Sequence, residues 1–173
     1  MEEKLLKIYK YGDDVLKLKA NEVKNIDEEI VKLMSYMAET MHHTNNGIGL
    51  AAPQVGKSLR MSVIDMSMGQ NPDDLMVIIN PEIIESDGRE TGEEGCLSLP
   101  GISIPVNRKS KLLLKYVDID GKEHKLEFEG FKARVFQHEI DHLEGVLIID
   151  RVSSLKKQMV KKEIKRLKKN GQW

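Results

Sequence analysis

Two histidines one helical turn apart are the residues of this sequence best suited to chemistry. His138 and His142 enclose an acidic residue in His138-Glu139-Ile140-Asp141-His142. On a helix these imidazoles lie about 40° apart, so both can reach one ion, and neutral imidazole binds zinc and ferrous iron well. Glu139 projects from the same sector and can accept a proton from water beside that ion. The pattern predicts a catalytic divalent metal site with Glu139 as its acid and base.

The residues around the histidines predict the helix that carries them. Apolar residues from Phe131 to Glu144 follow a helical period, and Gly145 stands where helices commonly stop. Phe131 and Val135 fall on the same helical face as His138. We therefore expect this face, with its histidines, to point into the protein.

The histidine pair does not identify a third metal ligand. Metzincin proteases place a third histidine where this chain has Ile148, which excludes that class. Gluzincin proteases use a glutamate further downstream, here Glu163, although its lysine and arginine neighbours indicate a solvated basic helix. Cys96 lies in a Gly- and Pro-containing segment that predicts a turn at a strand end, but a single cysteine is more often a small buried apolar residue. A metalloprotease and a non-catalytic metal-binding module thus remain alternatives.

The remaining pattern predicts an α+β fold, with short antiparallel sheets packed around a central helix that carries the histidines, plus a C-terminal helix. Gly47 to Gly56 is too small and kinked for either regular element. Asp120-Gly121 predicts a hairpin between the last two strands. The predicted helices span 25–44, 131–144 and 153–170, with Asn25 or Asp27 as the first cap, and the predicted strands span 59–65, 76–80, 112–118 and 125–129.

Composition favours one domain over residues 1–173 of a cytoplasmic protein. The chain has 40% hydrophobic and 32% charged residues, and no apolar run long enough to cross a membrane. Residues 1–8 lack the apolar core of an export signal, and a lone cysteine suits a reducing compartment. The net charge of −1 hides an asymmetry, because residues 151–173 carry nine bases and one acid, a net +8, whereas the rest carries 18 bases and 27 acids, a net −9.

Three segments together resemble the signature motifs of one enzyme family, the peptide deformylases. They are Gly47-Ile48-Gly49-Leu50-Ala51-Ala52-Pro53-Gln54, Glu94-Gly95-Cys96-Leu97-Ser98 and Gln137-His138-Glu139-Ile140-Asp141-His142-Leu143. A looser resemblance runs from the Ile8 region to about Leu155. It implies a bacterial-type hydrolase that removes the formyl group from the N-terminal formylmethionine of nascent polypeptides and releases formate.

The resemblance also implies the roles of single residues. Cys96, His138 and His142 would hold the metal, with water in a fourth position. The Gln54 side-chain amide and the Leu97 backbone N–H would stabilise the oxyanion. The expected ion is Fe2+ in the cell, with Zn2+ or Ni2+ as alternatives.

The substrate is expected to lie against the first motif and the motif helix. Gly49 lacks a side chain and would let its loop approach the substrate backbone, unless it is simply a turn glycine. Candidates for an apolar slot for the methionine side chain are Ile48, Phe131 and Val135, of which at least one should be ordinary core.

Two interpretations fit the basic tail. It is either a solvated helix that packs a few apolar residues on the domain, or a contact with ribosomal RNA, as in related enzymes that bind beside the ribosomal exit tunnel. We expect no membrane or DNA partner. The histidines outside the motif helix are expected at the surface: His42, His43 and His124.

Overall fold

The structure of the chain is a computed structural model that describes residues 5–44 and 46–173. The predicted α+β class is confirmed. Two parts of the chain lie outside the described residues. They are Asn45, in the loop predicted to follow the first helix, and residues 1–4, in the segment considered above as an export signal. Within the described part, the helices are α1 Glu28–His43, α2 Gly130–Leu143 and α3 Ser154–Lys169, and the strands are β1 Gly49–Ala51, β2 Met61–Ile64, β3 Met76–Asp87, β4 Glu90–Cys96, β5 Leu99–Arg108, β6 Lys111–Val117 and β7 Glu123–Glu129.

The strands form two antiparallel sheets. One has five strands in the order β1-β2-β3-β6-β7, and the other pairs β4 with β5. The predicted pairing of the last two strands is confirmed, with Leu114 opposite Leu126. Helix α2 packs against β1, β2, β6 and β7 of the larger sheet. The larger sheet therefore supports the helix that carries the histidines.

The strand predictions were wrong in three places. β3 continues past residue 80, because a register shift lets it pair with β6 beyond Asn80, which has a φ of 50°. β1 occupies three residues of the loop that was predicted to be irregular. β4 and β5 were not predicted, because the glycines in β4 and Pro105 in β5 argue against strands. Each strand of a two-stranded sheet has one edge without a partner strand, however, and such an edge tolerates proline.

The predicted helices are confirmed to within a few residues. Asp27 caps α1 by accepting a hydrogen bond from the Ile30 backbone N–H at 3.0 Å. In α2, Phe136 is fully buried, and the centroid of its ring lies 4.1 Å from the centroid of the Phe128 ring on β7. Phe131 was expected to face inward with the histidines, but its position in the first turn leaves it 59% exposed.

Helix α3 packs one side on the smaller sheet. Val160, Ile164 and Leu167 are buried in a cluster with Ile104 and Val106 of β5. Leu155 and Met159, which the apolar pattern grouped with them, are instead 69% and 57% exposed. Among the described residues, no helix is both long enough and apolar enough to cross a membrane.

Gly145 ends α2 in a conformation that should not tolerate alanine. Its φ is 72°, and an added Cβ would lie 2.5 Å from the Lys17 carbonyl oxygen. We expect Gly145→Ala to lower the free energy of unfolding by about 2–4 kcal/mol, the sum of backbone strain and overpacking. Urea denaturation measures this. Gly121→Ala is the matched control, because its φ is 81° and no atom lies within 4 Å of the added Cβ. Equal losses in the two variants would contradict a collision at Gly145.

Candidate functional site

A cavity of about 570 Å³ lies between the smaller sheet, α2 and the segment that leads into β1. Residues 99–103 of β5 line part of it, and the rest of the lining comes from three regions that each include part of one motif. They contribute Asn46 to Gly49 with Gln54, Glu93 to Leu97 at the end of β4, and Phe131 to Glu139 on α2. The fold thus brings the three sequence motifs to one place.

Three side chains that could hold a metal ion converge beside this cavity, and two of them, Cys96 and His138, line it. Cys96 is the last residue of β4, while His138 and His142 lie on α2. The Cys96 Sγ lies 3.4 Å from the His142 Nε2 atom, which in turn lies 3.2 Å from the His138 Nε2 atom. All three donor atoms lie within 4.8 Å of one another.

The spacing of these donors and the protonation of His138 fit a tetrahedral ion. With metal–nitrogen and metal–sulfur bonds of about 2.0 and 2.3 Å, neighbouring donors would lie about 3.3–3.6 Å apart, close to the separations found. His138 Nδ1 lies 2.9 Å from Glu94 Oε2. Because a carboxylate only accepts, this nitrogen carries the proton, and the lone pair of Nε2 faces the cluster. The residues present therefore suit a divalent metal.

Glu139 lies beside the donor cluster and is almost fully buried. Its Oε2 has no hydrogen-bond partner within the described part of the chain. Burial raises the pKa of the Glu139 carboxyl to about 7, against the opposing effect of His138. A carboxyl with a pKa near neutrality can both accept and release a proton.

Gly49 makes room for Glu139. A Cβ added to Gly49 would lie only 2.2 Å from Glu139 Oε1. The glycine was singled out for its approach to the substrate, but the structure gives a second reason for it, since any side chain here would displace the carboxylate.

Gln54 is fixed so that its amide nitrogen faces the sulfur. Its Oε1 accepts a hydrogen bond from the Ala51 backbone N–H at 2.9 Å, and its Nε2 donates to Ser98 Oγ at 3.1 Å. The same nitrogen lies 3.7 Å from Cys96 Sγ. Leu97 follows Cys96 in the tight turn before β5 and lines the cavity. Both residues named as oxyanion donors thus lie beside the cluster.

The N-terminal segment connects the first two motifs. The Tyr9 backbone N–H donates to the Gln54 carbonyl at 2.8 Å, and the Tyr11 backbone N–H donates to the Ser98 carbonyl at 2.8 Å. These bonds hold the loop of Gln54 and the turn after Cys96 against one another.

The carboxylate of Glu94 joins β4 to α2, a role that sequence analysis missed. Arg108 donates to its two oxygens at 2.9 Å each, and Arg134 donates to Oε1 at 2.8 Å. Burial alone would raise the pKa of Glu94, but hydrogen bonds from Arg108 and His138 outweigh it and lower that pKa to about 2. A partial signal existed, because residues two apart on a regular strand share a face and Glu94 stands two residues before Cys96, although a register shift falls between Gly95 and Cys96.

The residues proposed for the methionine slot differ in burial. Val135 is 5% exposed and belongs to both the core and the cavity wall. Ile48 is half-buried, and Phe131 lies exposed at the rim of the cavity. All three line the cavity.

Other candidates lie away from the cluster. Glu163, the alternative ligand, is paired with Arg166 on α3 through a hydrogen bond of 2.9 Å and another of 2.6 Å. His42 and His43 are exposed as expected, whereas His124 is half-buried, with its Nε2 2.5 Å from Asp118 Oδ2. No observation at Glu163 favours a protease-like ligand set.

Comparisons with known proteins show which family the chain is similar to. Residues 5–158 match the family model for polypeptide deformylase. The peptide deformylase of Thermodesulfovibrio yellowstonii is 48% identical over 93% of this chain and 97% of its own length. A peptide deformylase crystal structure from Legionella pneumophila superposes with a TM-score of 0.91 at 40% identity, over 97% of this chain and 98% of that one. A Met-Ala-Ser-bound enzyme from Acinetobacter baumannii has a TM-score of 0.80 at 36% identity, over 87% and 99%.

The donor cluster predicts which variants lose metal. Loss of an outer hydrogen-bond partner of a metal ligand typically weakens metal binding by roughly 10–100-fold. Cys96→Ala and His142→Ala each remove a donor itself, so each should weaken metal binding by more than that. Metal content after dialysis, measured by atomic absorption, tests this. Glu163→Ala is the control and should keep its metal. Loss of metal from the glutamate variant together with retention in the cysteine variant would refute the cluster as the binding site.

Proposed function

Because the chain belongs to the peptide deformylase family, and is therefore a metal-dependent hydrolase that removes the N-formyl group from nascent polypeptides, we propose that Cys96, His138 and His142 are its metal ligands. The observation that supports this most directly is the convergence of their three donor atoms within 4.8 Å. We further propose that residues 1–173 act as one catalytic domain.

The proposed ion is Fe2+ in the cell, with Zn2+ or Ni2+ as alternatives. A thiolate with two imidazoles suits several of these metals, so availability in the cell decides among them more than ligand preference does. When bound, such a cation supplies Lewis acidity, which polarises a carbonyl and lowers the pKa of water toward neutrality. Cys96 is only partly buried, so its thiolate is open to oxidation.

Glu139 moves the proton in the proposed reaction. Its Oε2 accepts a proton from the attacking water as the oxygen bonds to the formyl carbon. The same carboxyl then delivers that proton to the leaving nitrogen as the carbon–nitrogen bond breaks, which yields formate and a free amine. The pKa of about 7 and the free Oε2 atom support this role.

Gln54 and Leu97 stabilise the oxyanion of the tetrahedral intermediate. The Gln54 amide is held at both ends before any substrate arrives, by Ala51 and Ser98. Donors fixed in advance need no reorganisation during the reaction, and loss of one such donor commonly costs about 10²–10³ in kcat.

The cavity wall selects for methionine after a small acyl group. We assign Ile48, Val135 and Phe131 to the methionine side chain, with Val135 also serving the core and Phe131 closing the rim. The loop at Gly49 lies against the substrate backbone. A formyl carbon carries only hydrogen, so a site closed around it rejects bulkier acyl groups. The Met-Ala-Ser peptide bound to the Acinetobacter baumannii relative is consistent with such a substrate.

We propose that the enzyme works on chains as they leave the ribosome, in the cytoplasm of a bacterial-type cell, and that α3 contacts ribosomal RNA. The net +8 charge of residues 151–173 supports this contact. One side of α3 is occupied by the core, which leaves the lysines of its other side exposed.

Formate release tests the proposed chemistry. With Fe2+, Ni2+ or Zn2+ supplied in the absence of air, the protein should release formate from a formyl-methionyl tripeptide. Glu139→Gln should keep its metal but lose about 10²–10⁴ in kcat, because it cannot accept the proton. A formate dehydrogenase-coupled assay measures both. Absence of formate with all three ions would overturn the assignment and favour a non-catalytic metal-binding module.

A second variant tests whether the Glu139 carboxylate must also be correctly placed, and not merely present. Gly49→Ala keeps Glu139 but pushes it aside, so kcat should fall toward that of Glu139→Gln while metal content stays unchanged. The double variant should lose no more than the worse single variant, because both act on one group. Independent, multiplicative losses would argue against the contact between the two residues.

Charge reversal tests the ribosome contact. Truncation of α3 would remove buried core residues, so we choose Lys161, Lys162 and Lys165, which are exposed. Their replacement by glutamate should weaken ribosome binding in cosedimentation and lower the slope of log affinity against log salt by about one for each lost phosphate contact.

The matched control reverses three exposed lysines on the body of the protein: Lys24, Lys57 and Lys122. It changes the net charge by the same amount away from α3. Equal weakening in both triple variants would show a non-specific charge effect and contradict a contact through α3.

A further inference from the structure

A chain of buried ion pairs leads from a proposed metal ligand to the segment before α3. His138 contacts Glu94, and Arg108 holds Glu94 with two of its nitrogens, as described above. The third nitrogen of Arg108, Nη1, donates to Asp141 Oδ2 at 2.5 Å. Arg151 then donates to the same carboxylate, with Nε 2.9 Å from Oδ2 and Nη2 bonded to Oδ1.

The inner members of this chain are inaccessible to water. Glu94, Arg108 and Asp141 are 6%, 4% and 6% exposed, whereas the Arg151 side chain is 46% exposed. A buried charge without a partner is strongly unfavourable, so each of these groups depends on its neighbours. A change at the exposed end therefore alters the partners available to the buried end.

Asp141 connects α2 to two other segments of the chain. It lies on the same helix as His138 and His142, and it is bonded to Arg108 on β5 and to Arg151 beyond the helix. A rotation of about 10° moves an atom at the outer radius of a helix, about 5–6 Å from its axis, by about 1 Å. Metal–ligand distances tolerate only about 0.2 Å. The two ion pairs of Asp141 thus constrain the histidines more tightly than apolar packing alone would.

We propose that Asp141 and Arg151 are positioning residues for the metal site. They hold α2 in the rotation that aims both imidazoles at the ion, and they act through Arg108 and Glu94 on the orientation of the His138 ring. Neither residue belongs to the proposed donor set or to the wall of the cavity. This inference rests on the proposed ligand set of Cys96, His138 and His142.

Two charge-removing variants test the inference, the isosteric Asp141→Asn and the shorter Arg151→Gln. Each should weaken Zn2+ binding by roughly tenfold, the lower end of the effect of outer partners, as measured by competition with a chromophoric chelator. The visible absorption bands of the Co2+-substituted protein should shift. The kcat for a formyl-methionyl peptide should fall while KM stays near the wild-type value, because the substrate cavity is unchanged.

Arg166→Gln is the matched control. It breaks a two-bond pair between arginine and carboxylate, with Glu163, on the exposed side of α3. It should leave Zn2+ affinity and the Co2+ spectrum unchanged. The double variant Asp141→Asn/Arg151→Gln should lose no more affinity than the worse single variant, because both break the same pair.

The outcomes separate this inference from the proposed function. If Arg151→Gln lowers the urea midpoint but keeps the wild-type Zn2+ affinity and Co2+ spectrum, its role is structural only and the inference fails. If Cys96→Ala also keeps wild-type affinity, the ligand set itself is wrong. Arg151 is half-exposed, so its variant decides the question even if Asp141→Asn does not fold.

Discussion

The three donor atoms of the proposed metal site must be placed with a precision of a few tenths of an ångström, although they come from two segments far apart in the chain. Cys96 ends a strand of the smaller sheet, and His138 and His142 belong to a helix on the larger sheet. The carboxylate of Glu94 connects the two, since it belongs to the strand and accepts hydrogen bonds from His138 and Arg134 of the helix. The relation between the sheets, and with it the shape of the cavity, depends on this group.

Two carboxylates near the cluster are held in opposite states. Glu94, with several donors around it, has a pKa lowered to about 2, and Glu139, buried with a free oxygen, has one raised to about 7. One carboxylate is thus a permanent acceptor that orients an imidazole, and the other is able to exchange a proton near neutral pH. Such divergent environments divide structural and chemical work between groups of the same type.

The sequence predicted local features better than distant ones. The helices were confirmed to within a few residues, because periodicity, Asp27 and Gly145 are local signals. Only the family resemblance, and no local pattern, implied that the three motifs act together. The β4–β5 hairpin was missed because Pro105 and several glycines outweigh the alternation of its apolar residues. The ion pair between Glu94 and Arg108 could not be predicted, because no local sequence pattern around either residue indicates which distant residue it will contact. The burial of Phe131 was predicted wrongly. The helical period shows which face of α2 a side chain lies on, but it does not show how far the neighbouring elements extend to cover that face.

The contacts of the N-terminal segment and of Arg151 bear on how the protein is made. The backbone of Tyr9 donates to the loop of Gln54, that of Tyr11 donates to the turn after Cys96, and Arg151 forms an ion pair with Asp141 on the helix of the histidines. Residues before the first motif and a residue after the third motif thus both contact the parts that form the site, so a fragment that stops before Arg151 lacks some of these contacts. Such long-range contacts form late in folding. Binding of the proposed ion should therefore follow the synthesis of Arg151.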